Sequence, residues 1–150
     1  MSQLAPSGNL ASTEMLIIGG GPAGLATATF FARVNRPFIL YDSQLYRNAQ
    51  SPVAHTIMGF EGSSPADYRS KVRRELEELY GKQGAGLGNG EFRNGKIVSL
   101  EKVVGGFEAI DTEGRMIEAR KVILATGIKD VLPDIPGKLN PLSHLRLVSV

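Results

Sequence analysis

An α/β fold with a central parallel sheet and a three-stranded antiparallel β-meander is what this sequence predicts, and three observations carry the expectation. Residues 15–18 (MLII), 38–41 (FILY) and 121–125 (KVILA) are short apolar runs of the kind found in strands covered on both faces. The first two flank residues 25–34 (LATATFFARV), which read as a helix, so they form one strand-helix-strand unit whose strands lie parallel through a right-handed crossover. The third run is preceded by strand-like stretches at 96–104, 107–112 and 116–119, separated by Gly105-Gly106 and Glu113-Gly114, which is the signature of a meander joined by tight turns.

The remaining elements follow in order. Residues 1–13 are polar, lack a basic or apolar leader segment, and are expected to be a flexible lead-in. Residues 42–62 have no sustained period and contain Pro52 and two glycines, so a long functional loop is expected, with at most one turn of helix. Ser64-Pro65-Ala66-Asp67 then supplies an N-cap, a proline for the first helical position and an acid for the first turn. In the helix that starts there, Tyr68, Val72, Leu76 and Leu79 share one face, while Lys71, Arg73, Arg74, Glu75, Glu77 and Glu78 form a solvated face. Residues 81–90 hold five glycines and read as a breaker region.

Composition narrows the function classes. A chain of 150 residues, 42% hydrophobic and 21% charged with 18 glycines, is the size and character of one turn-rich globular domain. The net charge is +2 and the cations are interspersed with acids, which leaves no electrostatic footprint for nucleic acid. The absence of cysteine removes disulfides, thiolate metal sites and any thiol nucleophile or redox pair. His55 and His144 lie far apart in sequence and offer no ligand set for a catalytic zinc, which needs about three protein ligands. No apolar run approaches the length of a membrane span, and a cytoplasmic location is the expectation.

The chemistry is concentrated in GGGPAG, between the first strand and the first helix. In a Gly19-x-Gly21-x-x-Gly24 turn, Gly19 permits the tight bend, Gly21 lets the backbone approach a pyrophosphate, and Gly24 lets helix and strand touch. The phosphates would rest on the free amides and positive end of the helix, where Pro22 sacrifices a donor that has no partner in any case. Asp42 ends the next strand, where a ribose hydroxyl is expected. The meander favours FAD over a nicotinamide dinucleotide, and so does the Ala125-Thr126-Gly127 turn, which would bring backbone to the cofactor from its other side; an NAD(P) site is the alternative.

The stretches MLIIGGGPAGLATATFFARV, YDSQLYRNA, AHTIMGFEG and KVILATGIKDVLPDIPG together resemble the FAD domain of thioredoxin reductase-like flavoproteins, nearest to the fungal dithiol oxidases of epidithiodiketopiperazine biosynthesis. The resemblance implies a Rossmann-like FAD-binding domain over residues 14–137 and a divergent tail over 138–150. It implies that Gly20, Gly21, Pro22, Ala23 and Gly24 hold the pyrophosphate, with Asp42 and Ser43 at the adenosine ribose. Arg47, Asn48 and His55 would come toward the flavin end, Val98 would meet adenine through its backbone, and Ala125, Thr126 and Gly127 would line the cofactor. The family also uses an NADPH domain, a Cys-x-x-Cys pair and a later Gly-Asp motif, and the two motifs are absent from these residues. The expectation is therefore an FAD-dependent oxidoreductase of fungal secondary metabolism represented by its cofactor-binding portion, inactive by itself in thiol-disulfide chemistry. The alternative is a catalytically inactive domain that acts by association, as a homodimer or with another chain.

Overall fold

In the computed structural model, which describes residues 10–82 and 88–129, the chain runs β1 (Ala11–Ile18), α1 (Pro22–Arg33), β2 (Phe38–Asp42), α2 (Pro65–Tyr80), β3 (Gly90–Asn94), β4 (Ile97–Val103), β5 (Gly106–Asp111) and β6 (Met116–Leu124). The eight elements build one mixed six-stranded sheet in the order β3-β2-β1-β6-β5-β4. Strands β3, β2, β1 and β6 are mutually parallel, and β4 and β5 extend the sheet from β6 in antiparallel register. This is the expected α/β class.

Side chains alternate between two buried faces. Met15, Ile17, Phe38 and Leu40 point to the helices and join Leu25, Ala28, Ala32 and Leu76 in one core. Leu16, Ile39 and Tyr41 point the other way and meet Ala109, Ile117 and Ala119 of the meander in a second core. The period of two is intact in β1 and β2, but both faces are apolar because both are covered, which is why the sequence shows unbroken runs.

The sheet cannot be flat. Only Gly95 and Lys96 separate β3 from β4, although these strands occupy opposite edges. Five inter-strand spacings would place flat edges roughly 24 Å apart, whereas three Cα steps reach only about 11 Å. The meander therefore folds back over the parallel strands, and the Gly95 amide donates to the Asp42 carbonyl at 2.9 Å. A polar clasp holds the fold-back. The Tyr41 hydroxyl, buried in β2, donates to Asp111 Oδ2 of β5 at 3.0 Å and accepts from Arg93 of β3 at 3.0 Å. Asp111 also accepts from the Arg115 guanidinium at 2.6 Å and from the amides of Glu113 and Arg115.

Both helices start as their sequences predict. Pro22 opens α1, and in α2 the Ser64 hydroxyl accepts from the Asp67 amide at 3.0 Å, with Pro65 at the first helical position. At the end of α1, Asn35 adopts φ 53°, a left-handed conformation that asparagine tolerates. None of the described helices is long and apolar enough to cross a membrane.

Four expectations are corrected. Strand β1 begins at Ala11, inside the stretch 1–13 expected to be loose, because Ala11, Ser12 and Thr13 pair with Ile117, Glu118 and Ala119. The stretches 116–119 and 121–125, read as two strands, are one continuous strand β6 that serves the meander and the parallel sheet together. Strand β3 was not expected; Gly90 starts it where a side chain would meet the Phe38 ring at 2.6 Å, and its five residues pair along β2. On α2, Leu79 is 52% exposed while Arg69 is buried at 8%, so the inward face is rotated from the one the apolar spacing indicates. The loop 43–64 contains turns and no helix. Residues 130–150, with the expected divergent tail, lie outside the described residues.

The clasp has a pH signature. Burial works against the charge of Asp111, but hydrogen bonds from Arg115, Tyr41 and the Glu113 amide prevail and hold its carboxyl below the usual aspartate range. A depressed folded-state pKa stabilises the fold above the unfolded value of about 4 and ceases to do so as pH falls through the lowered one. Asp111→Ala is expected to cost about 2–4 kcal/mol at neutral pH, since it leaves the buried Tyr41 hydroxyl and the amides of Glu113 and Arg115 without their acceptor. Urea unfolding of both proteins, at neutral pH and in acid, should show the difference shrinking on acidification; an acid-independent difference would refute the assignment.

Candidate functional site

The carboxyl ends of β1, β2 and β6 lie side by side, and the site is built where they meet. At Gly19 the chain turns with φ 122°, its amide donating to the Tyr41 carbonyl at 2.8 Å. A Cβ at Gly19 would stand 2.2 Å from the Ala125 carbonyl oxygen, and one at Gly24 would stand 1.8 Å from the Gly19 carbonyl oxygen. Backbone thus touches backbone at both positions, which excludes every residue except glycine. The Ala125 amide donates to the Ile18 carbonyl at 2.8 Å and seals the third side.

Gly21 is different. It is the N-cap of α1 with ordinary extended φ and ψ, and no heavy atom lies within 4 Å of where its Cβ would be. A side chain there would project into open space at the positive end of the helix. The Leu25 amide closes the first helical hydrogen bond onto Gly21 at 2.9 Å. Pro22 has no amide hydrogen, and those of Ala23 and Gly24 precede the first intrahelical bond. This is a cradle for an anionic group that approaches backbone closely.

Asp42 borders the cradle. A Cβ on Gly20 would stand 2.1 Å from the Asp42 carboxyl carbon, so the carboxylate lies directly against the turn. Its Oδ1 accepts from the Gln44 amide at 2.8 Å, and its Oδ2 from the Tyr46 hydroxyl at 2.5 Å and Arg73 Nη1 at 3.4 Å. Burial first, then the bond to Asp42, push the Tyr46 phenol up to about 12, so it remains a donor at neutral pH. Gly20, Asp42, Gln44, Tyr46, Arg69 and Arg73 line a cleft of about 230 Å³ between the loop and α2.

The other expected residues divide into two groups. Ala125, Thr126 and Gly127 follow β6 at the same end of the sheet, with Thr126 and Gly127 exposed. Ser43, Arg47 and Asn48 occupy the loop leaving Asp42; Ser43 and Arg47 are exposed, and the Asn48 side chain accepts from Arg69 at 2.9 Å. Val98 is 57% exposed on β4, three residues past Gly95, which bonds to Asp42. His55 is exposed farther along the loop and pairs with Glu61 at 2.6 Å; that bond, joined by the Thr56 amide, draws the Glu61 carboxyl below its usual range. No group of three or more metal-binding side chains occurs among the described residues.

Sequence reasoning missed Tyr46, Arg69 and Arg73. The available signal was the spacing of Ala66, Arg69, Ser70 and Arg73, one helical stripe, but polar residues at helical spacing are ordinarily solvent-facing. Arg73, expected on the wet face, is instead shared between Asp42 and Glu77.

The crowding at Gly24 gives a direct test of the turn. Gly24→Ala must separate helix from strand and is expected to destabilise the fold by about 1–3 kcal/mol. Thermal unfolding of the variant at the wild-type midpoint would overturn this account of the turn.

A family profile described as pyridine nucleotide-disulphide oxidoreductase matches residues 13–149. The chain is 41% identical over 125 residues to thioredoxin reductase tcpT of Claviceps purpurea, and 41% identical over 130 residues to thioredoxin reductase aclD of Aspergillus oryzae. These alignments cover 83% of this chain but only 37% and 38% of the relatives, so the chain spans under two fifths of their length. Among solved structures, HlmI superposes with a TM-score of 0.73 at 30% identity, covering 87% of this chain and 40% of that one. An oxidoreductase from Agrobacterium tumefaciens also reaches 0.73, at 28% identity over 84% of this chain and 40% of that one. FAD is the family's cofactor, and a glycine cradle open only at Gly21, with an acid at the end of β2, fits its diphosphate and ribose. This chain belongs to the pyridine nucleotide-disulphide oxidoreductase family and corresponds to its thioredoxin reductase-like FAD domain.

Proposed function

We propose that these residues form the FAD-binding part of a thioredoxin reductase-like oxidoreductase that acts on dithiols in fungal secondary metabolism. One observation carries the reading: Gly21 faces open space at the helix mouth, while Gly19 and Gly24 are closed by backbone. A turn built only for packing would have no need of the bare outward position. Both relatives that reach 41% identity, tcpT of Claviceps purpurea and aclD of Aspergillus oryzae, are fungal, which supports the fungal assignment.

Each residue has a physical task. The amides of Ala23 and Gly24 and the dipole of α1 bind the diphosphate, with Gly19 and Gly20 shaping the approach and Pro22 fixing the first turn. Asp42 accepts from the ribose; a carboxylate offers about four acceptor sites, and three donors now occupy it, so one remains. Ser43, Arg47, Asn48 and His55 form the loop wall, Val98 offers backbone to adenine, and Ala125, Thr126 and Gly127 flank the other side. When bound, FAD supplies the electron-accepting chemistry that no side chain here provides. With no cysteine among these 150 residues, thiol exchange has to come from groups outside them.

A second reading, association with another chain, is favoured by Leu124 and Ile128, which are 67% and 66% exposed on either side of the Ala125–Gly127 turn. Sedimentation at rising concentration should show a dimer that Leu124→Lys dissolves; a monomer throughout would end that reading.

For the principal reading, the purified chain with added FAD should keep a flavin spectrum after desalting. Gly21→Val should lose it, weakening FAD binding at least about a hundredfold, because the valine fills the space the phosphates need. Its unfolding free energy should stay within about 1 kcal/mol of wild type, since nothing is displaced and only the cap is altered. Wild-type protein that takes up no FAD would refute the proposal.

A further inference from the structure

Among the described residues, one buried cation lacks a carboxylate partner. Arg36 pairs with Glu14, Arg73 with Asp42 and Glu77, Arg93 with Glu91, and Arg115 with Asp111 and Glu113. Arg69 is only 8% exposed, yet its partners are the neutral Asn48 side chain, at 2.9 Å from Nη1, and the Tyr46 ring, whose centroid lies 3.7 Å from the guanidinium carbon. Burying a guanidinium without a counter-charge is costly, and folds avoid it unless something supplies the charge.

The open side of Arg69 shows where that charge would come from. The sole sealed side-chain polar atom without a partner among the described residues is Asn89 Oδ1, so the Arg69 nitrogens without a protein acceptor reach solvent. They do so in the cleft that Arg69 lines together with Ser70 and Arg73 of α2 and with Gly20 of the glycine turn. Ala66, Arg69, Ser70 and Arg73 recur at helical spacing and present one stripe of α2 to this space. Asp42 also borders the cleft, but its carboxylate is bonded to Arg73, Tyr46 and the Gln44 amide and not to Arg69. Stacking on Tyr46 and the bond to Asn48 hold the guanidinium in one orientation, which suits its planar fork to two phosphate oxygens.

We infer that Arg69 is a phosphate-binding residue of the dinucleotide site, contributing a guanidinium from α2 beside the amides contributed by α1. The inference rests on the FAD reading and extends it to an element outside the glycine turn. The cleft thereby distinguishes phosphate-bearing nucleotides from nucleosides by charge as well as by shape.

The test is calorimetric, on the full chain, with FAD, ADP, adenosine and inorganic phosphate as separate ligands. Arg69→Gln should weaken FAD and ADP about tenfold to a hundredfold, the loss expected for a charge-assisted hydrogen bond, and leave adenosine unchanged. Arg69→Lys, which keeps the charge and loses the fork, should recover part of that loss. Wild-type affinity for FAD and ADP in Arg69→Gln would overturn the inference. An equal loss for adenosine would also overturn it, because Arg69 would then only support the loop. Inorganic phosphate binding as tightly as ADP would assign the cleft to a free anion instead of the nucleotide. The two readings fail separately. FAD uptake absent from the wild type removes the cofactor site, whereas uptake lost in Gly21→Val but unchanged in Arg69→Gln removes the role of Arg69 alone.

Discussion

Everything at the functional end of this protein depends on backbone touching backbone at Gly19. There the end of β1, the start of α1 and the end of β6 come within van der Waals range without a side chain between them. The carbonyl of Gly19 is met by Gly24, its α-carbon by the Ala125 carbonyl, and its amide is taken by Tyr41. Three strands and a helix are thus fixed to within the tolerance of hydrogen-bond geometry, and the free amides of α1 acquire a defined direction. The outward bareness of Gly21 has meaning only because the inward positions are so fully occupied.

The second organising feature is the division of charge around Asp42. Its carboxylate sits between a dipole-positive helix end and the arginines of α2, and it ties the loop 43–48 down through Gln44 and Tyr46. An acid that merely awaited a ribose would not need so many donors. Here it also serves as the anchor of a loop with little regular structure, so the ribose contact proposed for it and the order of the loop share one group. Arg69 extends that anchoring through Tyr46 and Asn48.

The legible parts of the sequence were those governed by local rules. The glycine turn, the acid at the end of β2 and the Ser64-Pro65 helix start each follow from a few adjacent residues, and the structure shows the turn between β1 and α1, Asp42 as the last residue of β2 and Ser64 capping α2. What was illegible depended on partners distant in the chain. Strand β3 has a glycine at its head and charges within it, and it exists because β2 offers an edge. Residues 116–119 and 121–125 read as two strands, but Arg120 and Lys121 between their apolar parts are exposed and the backbone pairing with β1 runs through Lys121. Ala11 to Thr13 became strand for the same reason. On α2 the apolar spacing chose Leu79, yet the cation of Arg69 is the buried group, because loop 43–48 supplies an aromatic face and an amide for it. The resemblance to flavoproteins conveyed the cofactor and its turn, but a helix face whose polar residues turn inward leaves no pattern that distinguishes it from a wet one.

The position of Ala125 bears on how the chain emerges during synthesis. Gly19 and its closing partner are separated by more than a hundred residues, and β1 has no second neighbour until β6 arrives. Strand β1, α1 and β2 can associate early, since they are contiguous. The cradle, however, stays open on one side until β6 has left the ribosome. Such long-range closure is slow in folds of this kind, so the cradle takes its final shape only after β6 docks and does not template the earlier steps.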